Sequence, residues 1–505
     1  MKDKTLYRLC FWVILALGIT IRLWRFGQVP EGINQDEAFA GYEAFCLLRD
    51  GMDTAGYRFP VYLTAWGSGM NALETYLMLP FVALFGLKTW VIRLPQLLTG
   101  VLSLPAFYGV VRRARGKRQA LVSMLLLAIC PWHVLLSRWG LESNLAPGFL
   151  LFGLFFFLLG LEDSRFFLLA GLFYGLSLYA YATIWPFVPL MLLLSLAYCA
   201  AHGKLHCDRP LLCGGGILAL LAAPLLLFLA VNFGWIGEIR TAFFSVPKLL
   251  YMRSGELSFT HIPENLRNLF SILAKQSDGL PWNTAGPYGL LYPLSAPFVP
   301  LGLLSLLDRA KRRQGFDPAV LLLLQLLCAL LLGALVSVNV NRVNLLFPPL
   351  VFLAGEGICR FCGLFRGKLL PLVLAAYLLC FGFFARYYFS DYNTGLHASF
   401  AWGLEDALAA AERGGGPVVL SGDVYYPDVL FYTRTDPALF RATVRYQNYP
   451  AAFLRAAAFD RFHFGWEGEI SGDACYLLSP WTDGTALEAA GFTGEKYGIY
   501  TLYRK

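Results

Sequence analysis

The sequence predicts a polytopic α-helical membrane protein that carries a small C-terminal α/β domain. Three observations predict it. Of the 505 residues, 57% are hydrophobic and only 15% are charged, against roughly 25% charged in soluble domains. Apolar runs near the ~20 residues that cross a bilayer recur along the chain, and the basic residues collect in the short loops between them. From Arg386 onward the composition turns mixed and polar, with a turn cluster at Arg413-Gly414-Gly415-Gly416-Pro417.

Taken in order, Lys2, Lys4 and Arg8 stand at the start of the first run, 6–24, which places the N-terminus in the cytosol by the positive-inside rule. Arg22-Leu23-Trp24-Arg25 closes that run where a cleaved signal peptide would have small residues. The loop 25–90 then lies outside. Within it, 71–87 is apolar but carries Glu74. Were it a span, the cluster Arg112-Arg113-Ala114-Arg115-Gly116-Lys117-Arg118 would fall outside, so it reads as an interfacial helix. Runs follow at 91–111, 120–136, 145–161, 166–182, 184–201 and 211–231. After a long outer loop, 232–290, they resume at 291–307, 319–338, 343–358 and 369–384. About eleven spans result, with every basic loop inside. The expected organisation is a membrane domain over 1–385, with outer loops 25–90 and 232–290, followed by an extracytoplasmic α/β domain over 386–505. In that last domain 404–412 reads as an amphipathic helix, and 417–421, 474–478 and 497–503 read as strands.

The net charge of +8 sits in these loops and sets orientation. It does not point to nucleic acid. Most of the 11 cysteines lie in or beside apolar runs, where they act as small hydrophobes. Cys359 and Cys362 form a Cys-x-x-Cys, but Cys207 and Cys213 are too widely spaced for the second pair of a zinc site, and no metal ligand is assigned. The outer side holds only Cys46 and Cys475, so no disulfide framework is expected.

The chain is organised around Pro30-Glu31-Gly32-Ile33-Asn34-Gln35-Asp36-Glu37, directly after the first span. Two adjacent carboxylates at a membrane boundary must be solvated, paired or used. Acids at a helix start are also ordinary, because they complement the helix dipole. The topology gathers further groups on the same face: Arg138 and Glu142 in Ser137-Arg138-Trp139-Gly140-Leu141-Glu142, His261, Lys275 and Asp278 in the long loop, and Asn339, Asn341 and Arg342. Acids and arginines at one boundary suit a phosphate-bearing lipid. A guanidinium can grip phosphate through two parallel bonds, and a carboxylate can take the proton of an attacking hydroxyl. Arginines at span ends also anchor helices by reaching to headgroups.

Pro30-x-Gly32-x-x-x-Asp36-Glu37-Ala38 resembles the first outer-loop motif of the polytopic glycosyltransferases of the GT-C fold. The resemblance is to bacterial glycosyltransferase family 39 and its relatives, the protein O-mannosyltransferases and the aminoarabinose transferase of lipid A. It extends through Leu84-Phe85-Gly86, Arg93-Leu94-Pro95 and Ser137-Arg138, and more loosely to Asn341-Arg342 and Phe347-Pro348-Pro349. It covers residues 1–385 and is strong over the first 145. It implies a membrane glycosyltransferase that moves a sugar, with inversion, from a polyprenyl-phosphate donor to an acceptor outside the cytosol. The catalytic candidates are Asp36, matching the loop-one acid, with Glu37 and Glu142. Glu142 departs from the Asp that relatives often have after Ser-Arg, and Val343 follows Arg342 where relatives often have Tyr. Arg138 and Arg342 are the expected donor-phosphate ligands. A phosphate leaving group carries its own negative charge, so the chemistry requires no cofactor and admits a divalent cation. The expected location is the plasma membrane. The competing class, a transporter or lipid flippase, would place its ionisable groups at mid-membrane and show internal repeats, neither of which the sequence has.

Overall fold

The computed structural model describes residues 2–252, 259–312 and 315–505. The chain divides into two compact units. One comprises Met1–Phe26, Pro95–Ala223 and Ser254–Tyr392. The other comprises Gly27–Leu94, Pro224–Arg253 and Asn393–Lys505.

The first unit is helical. Among the described residues, 8 helices of the chain are long and apolar enough to cross a membrane. Other apolar runs give shorter pieces. The run 120–136 is split into Lys117–Ile129 and Pro131–Leu136, because Cys130 is extended (φ −67°, ψ 131°), as a residue preceding proline tends to be. The run 166–182 yields Phe167–Ser177, and 319–338 yields Ala319–Leu335. Small residues let some helices touch at backbone distance. A Cβ on Gly302 would meet Leu353 O at 2.0 Å, and one on Gly357 would meet Phe298 O at 1.9 Å. These two glycines therefore set how closely Phe298–Arg312 packs on Phe347–Leu364. At the basic end of Leu94–Arg115, Arg115 pairs with Asp317 at 2.7 Å and with the buried Glu356 at 3.2 Å, and Ser305 donates to Glu356 at 2.7 Å. A carboxylate inside a membrane protein needs such partners.

The second unit joins Gly27–Leu94 and Pro224–Arg253 to the C-terminal residues in one compact body, so the expected loop 232–290 is divided between the two units. The apolar stretch at 71–87 forms the helix Leu73–Phe85, whose 13 residues are too few to cross a bilayer. A short hairpin pairs β1 (Ile239–Arg240) with β2 (Ser245–Val246). The sheet contains β3 (Val418–Leu420), β4 (Arg445–Tyr446), β5 (Ala456–Phe459), β6 (Phe462–Phe464), β7 (Cys475–Leu478), β8 (Thr493–Tyr497) and β9 (Tyr500–Arg504). Its order is β4-β5-β6-β3-β7-β9-β8. The central β3 runs parallel to both β6 and β7, and the remaining pairs are antiparallel. The buried face of the helix Gln35–Arg49 (Phe39, Tyr42, Ala44) shares a core with Val418, Leu420, Val429 and Leu430 of the C-terminal part. The expected amphipathic helix is Leu404–Glu412.

Candidate active site

In the second unit, the motif at 30–37 folds around a helix start. Gly32 has φ +83°, and a Cβ there would meet Phe400 O at 1.9 Å. Only glycine fits this left-handed backbone pressed against a carbonyl. Ile33 N–H donates to that same oxygen at 2.7 Å, and Asn34 Nδ2 donates to Ser399 O at 3.0 Å. Glu31 takes part as well: its main-chain N–H reaches Asn393 Oδ1 at 3.0 Å and its carboxylate lies 2.9 Å from His397 Nε2. Residues 393–402 thus brace the motif.

Asn34 caps the helix Gln35–Arg49. Its Oδ1 accepts from Asp36 N–H at 3.0 Å, and Glu37 Oε1 accepts from Asn34 N–H at 3.0 Å, a reciprocal arrangement that satisfies two otherwise orphaned donors. Glu37 has no exposed surface. Arg93 Nε lies 2.9 Å from its Oε2 and Nη2 lies 2.5 Å from its Oε1. The rest of the Arg93 fork donates to Pro30 O and Gly32 O, each at 2.8 Å. A fully buried pair holds only when the geometry is good and the remaining polar atoms are bonded, and both conditions are met. Glu37 and Arg93 therefore lock the motif together. Asp36, on the same first turn, is half-buried.

Asp428 joins this acid pair from the helix Tyr426–Thr433. It is 3% exposed, and its Oδ1 has no hydrogen-bond partner. Burial pushes its carboxyl well above the usual range, and the charges of Asp36 and Glu37 push it further, favouring the protonated form. Sequence reading does not find Asp428. Within Tyr425-Tyr426-Pro427-Asp428 it looks like an ordinary acid in a first helical turn. A second buried acid pair lies further along the loop: burial first, and then Asp53, raises the Glu43 carboxyl. Glu43 accepts from the Thr54 hydroxyl and from Thr54 N–H, the latter at 3.0 Å, while Asp53 Oδ1 accepts from Ala55 N–H at 3.0 Å and Tyr57 N–H at 2.7 Å.

In the first unit, Arg138 has no exposed surface. Its Nη1 donates to Ile21 O at 2.8 Å and Arg22 O at 2.7 Å. Its Nη2 donates to Trp24 O at 2.8 Å and Arg25 O at 3.2 Å, and Nε donates to Tyr388 Oη at 3.1 Å. A guanidinium has five N–H groups, and all are engaged. Arg138 caps the C-terminal end of the helix Lys2–Leu23, where the last carbonyls lack helical partners. The expected phosphate grip thus meets a side chain whose donors are held by the protein. Arg22 stands beside it, 2.5 Å from His133 Nδ1 and donating to Ala128 O at 3.0 Å.

Arg342 is half-buried. Its Nη1 donates to Ser337 O at 3.1 Å, and its main-chain N–H reaches Asn339 Oδ1 at 2.9 Å. Asp278 ties this loop to the segment around Asn283, accepting from Val340 N–H at 2.9 Å and Asn283 Nδ2 at 2.7 Å. Glu142 opens the helix Glu142–Gly160. Asn344 Nδ2 donates to Ser143 O at 3.3 Å while its Oδ1 accepts from Trp132 Nε1 at 2.9 Å, so the Asn344 side chain ties the segment after Arg342 to the start of the Glu142 helix. His261 precedes the helix Ile262–Lys275 and bonds with Thr260 at 3.1 Å. The structure therefore groups Asp36 with Glu37 in one unit, and the Glu142 and Arg342 segments in the other.

Residues 73–228 match the family model described as dolichyl-phosphate-mannose-protein mannosyltransferase. No curated protein matches the sequence. Among solved structures, ArnT from Cupriavidus metallidurans in the apo state superposes with a TM-score of 0.60 at 15% identity, over 99% of this chain and 98% of that one. The chain has the fold of the GT-C glycosyltransferases. The same ArnT bound to undecaprenyl phosphate gives a TM-score of 0.59 at 14% identity, again over 99% and 98%. The archaeal oligosaccharyltransferase AglB from Archaeoglobus fulgidus, in complex with an inhibitory peptide and a dolichol-phosphate, gives 0.51 at 15%, over 86% of this chain and 64% of that one. The family match over 73–228 and the shared fold both point to membrane glycosyltransferases. Arg93, named in the sequence only as part of a motif, is the partner that fixes Glu37.

Proposed function

We propose that this chain moves a sugar from a polyprenyl-phosphate carrier to a hydroxyl acceptor on the extracytoplasmic side of the plasma membrane, with Asp36 as general base. The observation that carries the reading is the Glu37–Arg93 lock beneath the Asn34 cap, which fixes Asp36 on a rigid first turn. A catalytic base must be held within hydrogen-bond reach of the proton it takes. Asp36 accepts the proton of the acceptor hydroxyl as its oxygen attacks the anomeric carbon. The bond from that carbon to the phosphate oxygen breaks, and polyprenyl phosphate leaves with the electron pair. The charge that grows on the phosphate calls for a guanidinium, the part expected of Arg342. Glu37 and Arg138 act through position. Glu37 holds the motif, and Arg138 holds the end of the first helix. The likeness to a structure holding undecaprenyl phosphate supports a carrier of that chemical class.

Incubation of the purified protein in nanodiscs with a panel of polyprenyl-phosphate sugars tests the activity. Release of polyprenyl phosphate from at least one donor is expected, and release from none contradicts the reading. Orientation is tested separately. A single cysteine at Gly116, in a background without other reactive thiols, stays unlabelled by an impermeant reagent in intact cells. Labelling there reverses the assigned sides, since Gly116 lies within the basic cluster Arg112–Arg118.

A further inference from the structure

The second unit has a cleft of about 380 Å³ at the carboxyl ends of β3 and β6. Ligands of α/β sheets bind at such edges, where successive connections leave a parallel strand to opposite sides. Here β3 lies between β6 and β7, and the chain crosses from one to the other after β6. Six residues give the cleft its chemistry: Trp66, Asp423, Tyr425, Gln447, Arg455 and Phe464.

Trp66 comes from the first outer loop and is held rigidly. It stacks on Phe453 with ring centroids 4.3 Å apart and 7° between planes, and its carbonyl accepts from Leu454 N–H at 2.7 Å. Its backbone is left-handed (φ +57°), a strained conformation for an indole side chain. The ring is 5% exposed, and its Nε1 has no hydrogen-bond partner, a costly state for a buried donor. Asp423, Gln447 and Arg455 are exposed at the rim, and Gln447 Nε2 donates to Phe464 O at 3.4 Å. One carboxylate and one guanidinium balance each other, so the rim disfavours a strongly charged ligand. Aromatic faces with an acceptor, a donor fork and an amide around them suit a ring bearing several hydroxyls, each of which both donates and accepts.

Tyr425 also senses the charge of the candidate base. Burial raises the Tyr425 phenol, Arg455 opposes that rise, and the acids Asp428, Asp36 and Asp423 reinforce it. Tyr425 is thus in electrostatic range of both the cleft's rim and Asp36.

We propose that this cleft binds an uncharged saccharide unit of the acceptor, seated on the half-buried Tyr425 beside the buried Trp66 and held at its hydroxyls by Asp423, Gln447 and Arg455. This rests on the glycosyl-transfer reading and names the acceptor class that the reading leaves open. The test uses the full-length protein in nanodiscs, without donor. Neutral disaccharides of gluco, galacto and manno configuration, and short Ser/Thr peptides, are titrated and followed by saturation-transfer NMR. At least one disaccharide is expected to bind, and Asp423→Asn and Arg455→Ala each weaken it by about tenfold or more, the usual worth of a hydrogen bond to a charged group. Both side chains are exposed, so neither change threatens folding. Asp473→Asn, on an exposed turn not lining the cleft, binds as the parent does. No saccharide binding, binding unmoved by the two rim variants, or binding of peptides alone overturns the proposal. Because no donor is present, the outcomes separate. Donor turnover without saccharide binding removes the cleft's role alone, and saccharide binding without turnover of any donor removes the glycosyl-transfer reading.

Discussion

Arg93→Ala lowers the stability of the folded protein by about 3–5 kcal/mol, the usual cost of leaving one member of a buried ion pair alone. Glu37 has no exposed surface, and two of its bonds come from the Arg93 fork. Without that fork a carboxylate stays buried, and the carbonyls of Pro30 and Gly32 lose their donor as well. Arg93→Lys recovers only part of the loss, because an ammonium cannot bond Glu37 and both carbonyls in the same plane. The double change Glu37→Leu with Arg93→Met recovers more than Arg93→Ala does, since it removes both charges and refills the space. Thermal melts in detergent measure all three. An Arg93→Ala melt equal to the parent's contradicts the lock.

The membrane body was legible because its signal is one-dimensional. A run of apolar residues and a basic loop carry their meaning without knowledge of partners, and the helices follow the expected runs. The departures have local causes, as where Pro131 forces Cys130 out of the helix. The second unit was legible only in part. Its helix Leu404–Glu412 and three of its strands were marked by pattern, but its core is built from segments far apart in sequence, including Phe39 and Tyr42 with Val418 and Leu430. The site shows the same division. Asp36 and Glu37 were visible as adjacent acids, but nothing in their spacing says that Glu37 would be enclosed by Arg93 while Asp36 would remain half-buried. Arg138 was visible as an arginine at a span end. Its five donors are engaged by carbonyls of the first helix's end and by Tyr388, a use that no local pattern encodes. Asp428 carried no signal at all, because its role depends on the fold that brings its helix to Gln35–Arg49.

Asp36→Asn is expected to lower kcat by about 10²–10⁴-fold, the range general-base catalysis supplies, with donor binding little changed. The substitution keeps the size of the side chain and leaves the main-chain N–H that Asn34 accepts from, so the helix start persists. It removes only the basic oxygen. Glu37→Gln should act differently, lowering stability together with activity, because it weakens the pair with Arg93. Asp428 adds a check on the assignment. Asp428→Asn preserves a neutral, hydrogen-bonding side chain at a position where burial already favours the neutral acid, so its effect on turnover should be far smaller than that of Asp36→Asn. The most direct measurement is single-turnover release of polyprenyl phosphate by Asp36→Asn protein that melts at the parent temperature, with a saturating donor and an accepted hydroxyl substrate. A rate lower by two orders of magnitude or more is the predicted result. A rate equal to the parent's contradicts Asp36 as the base, and would make Glu142 the next acid to replace.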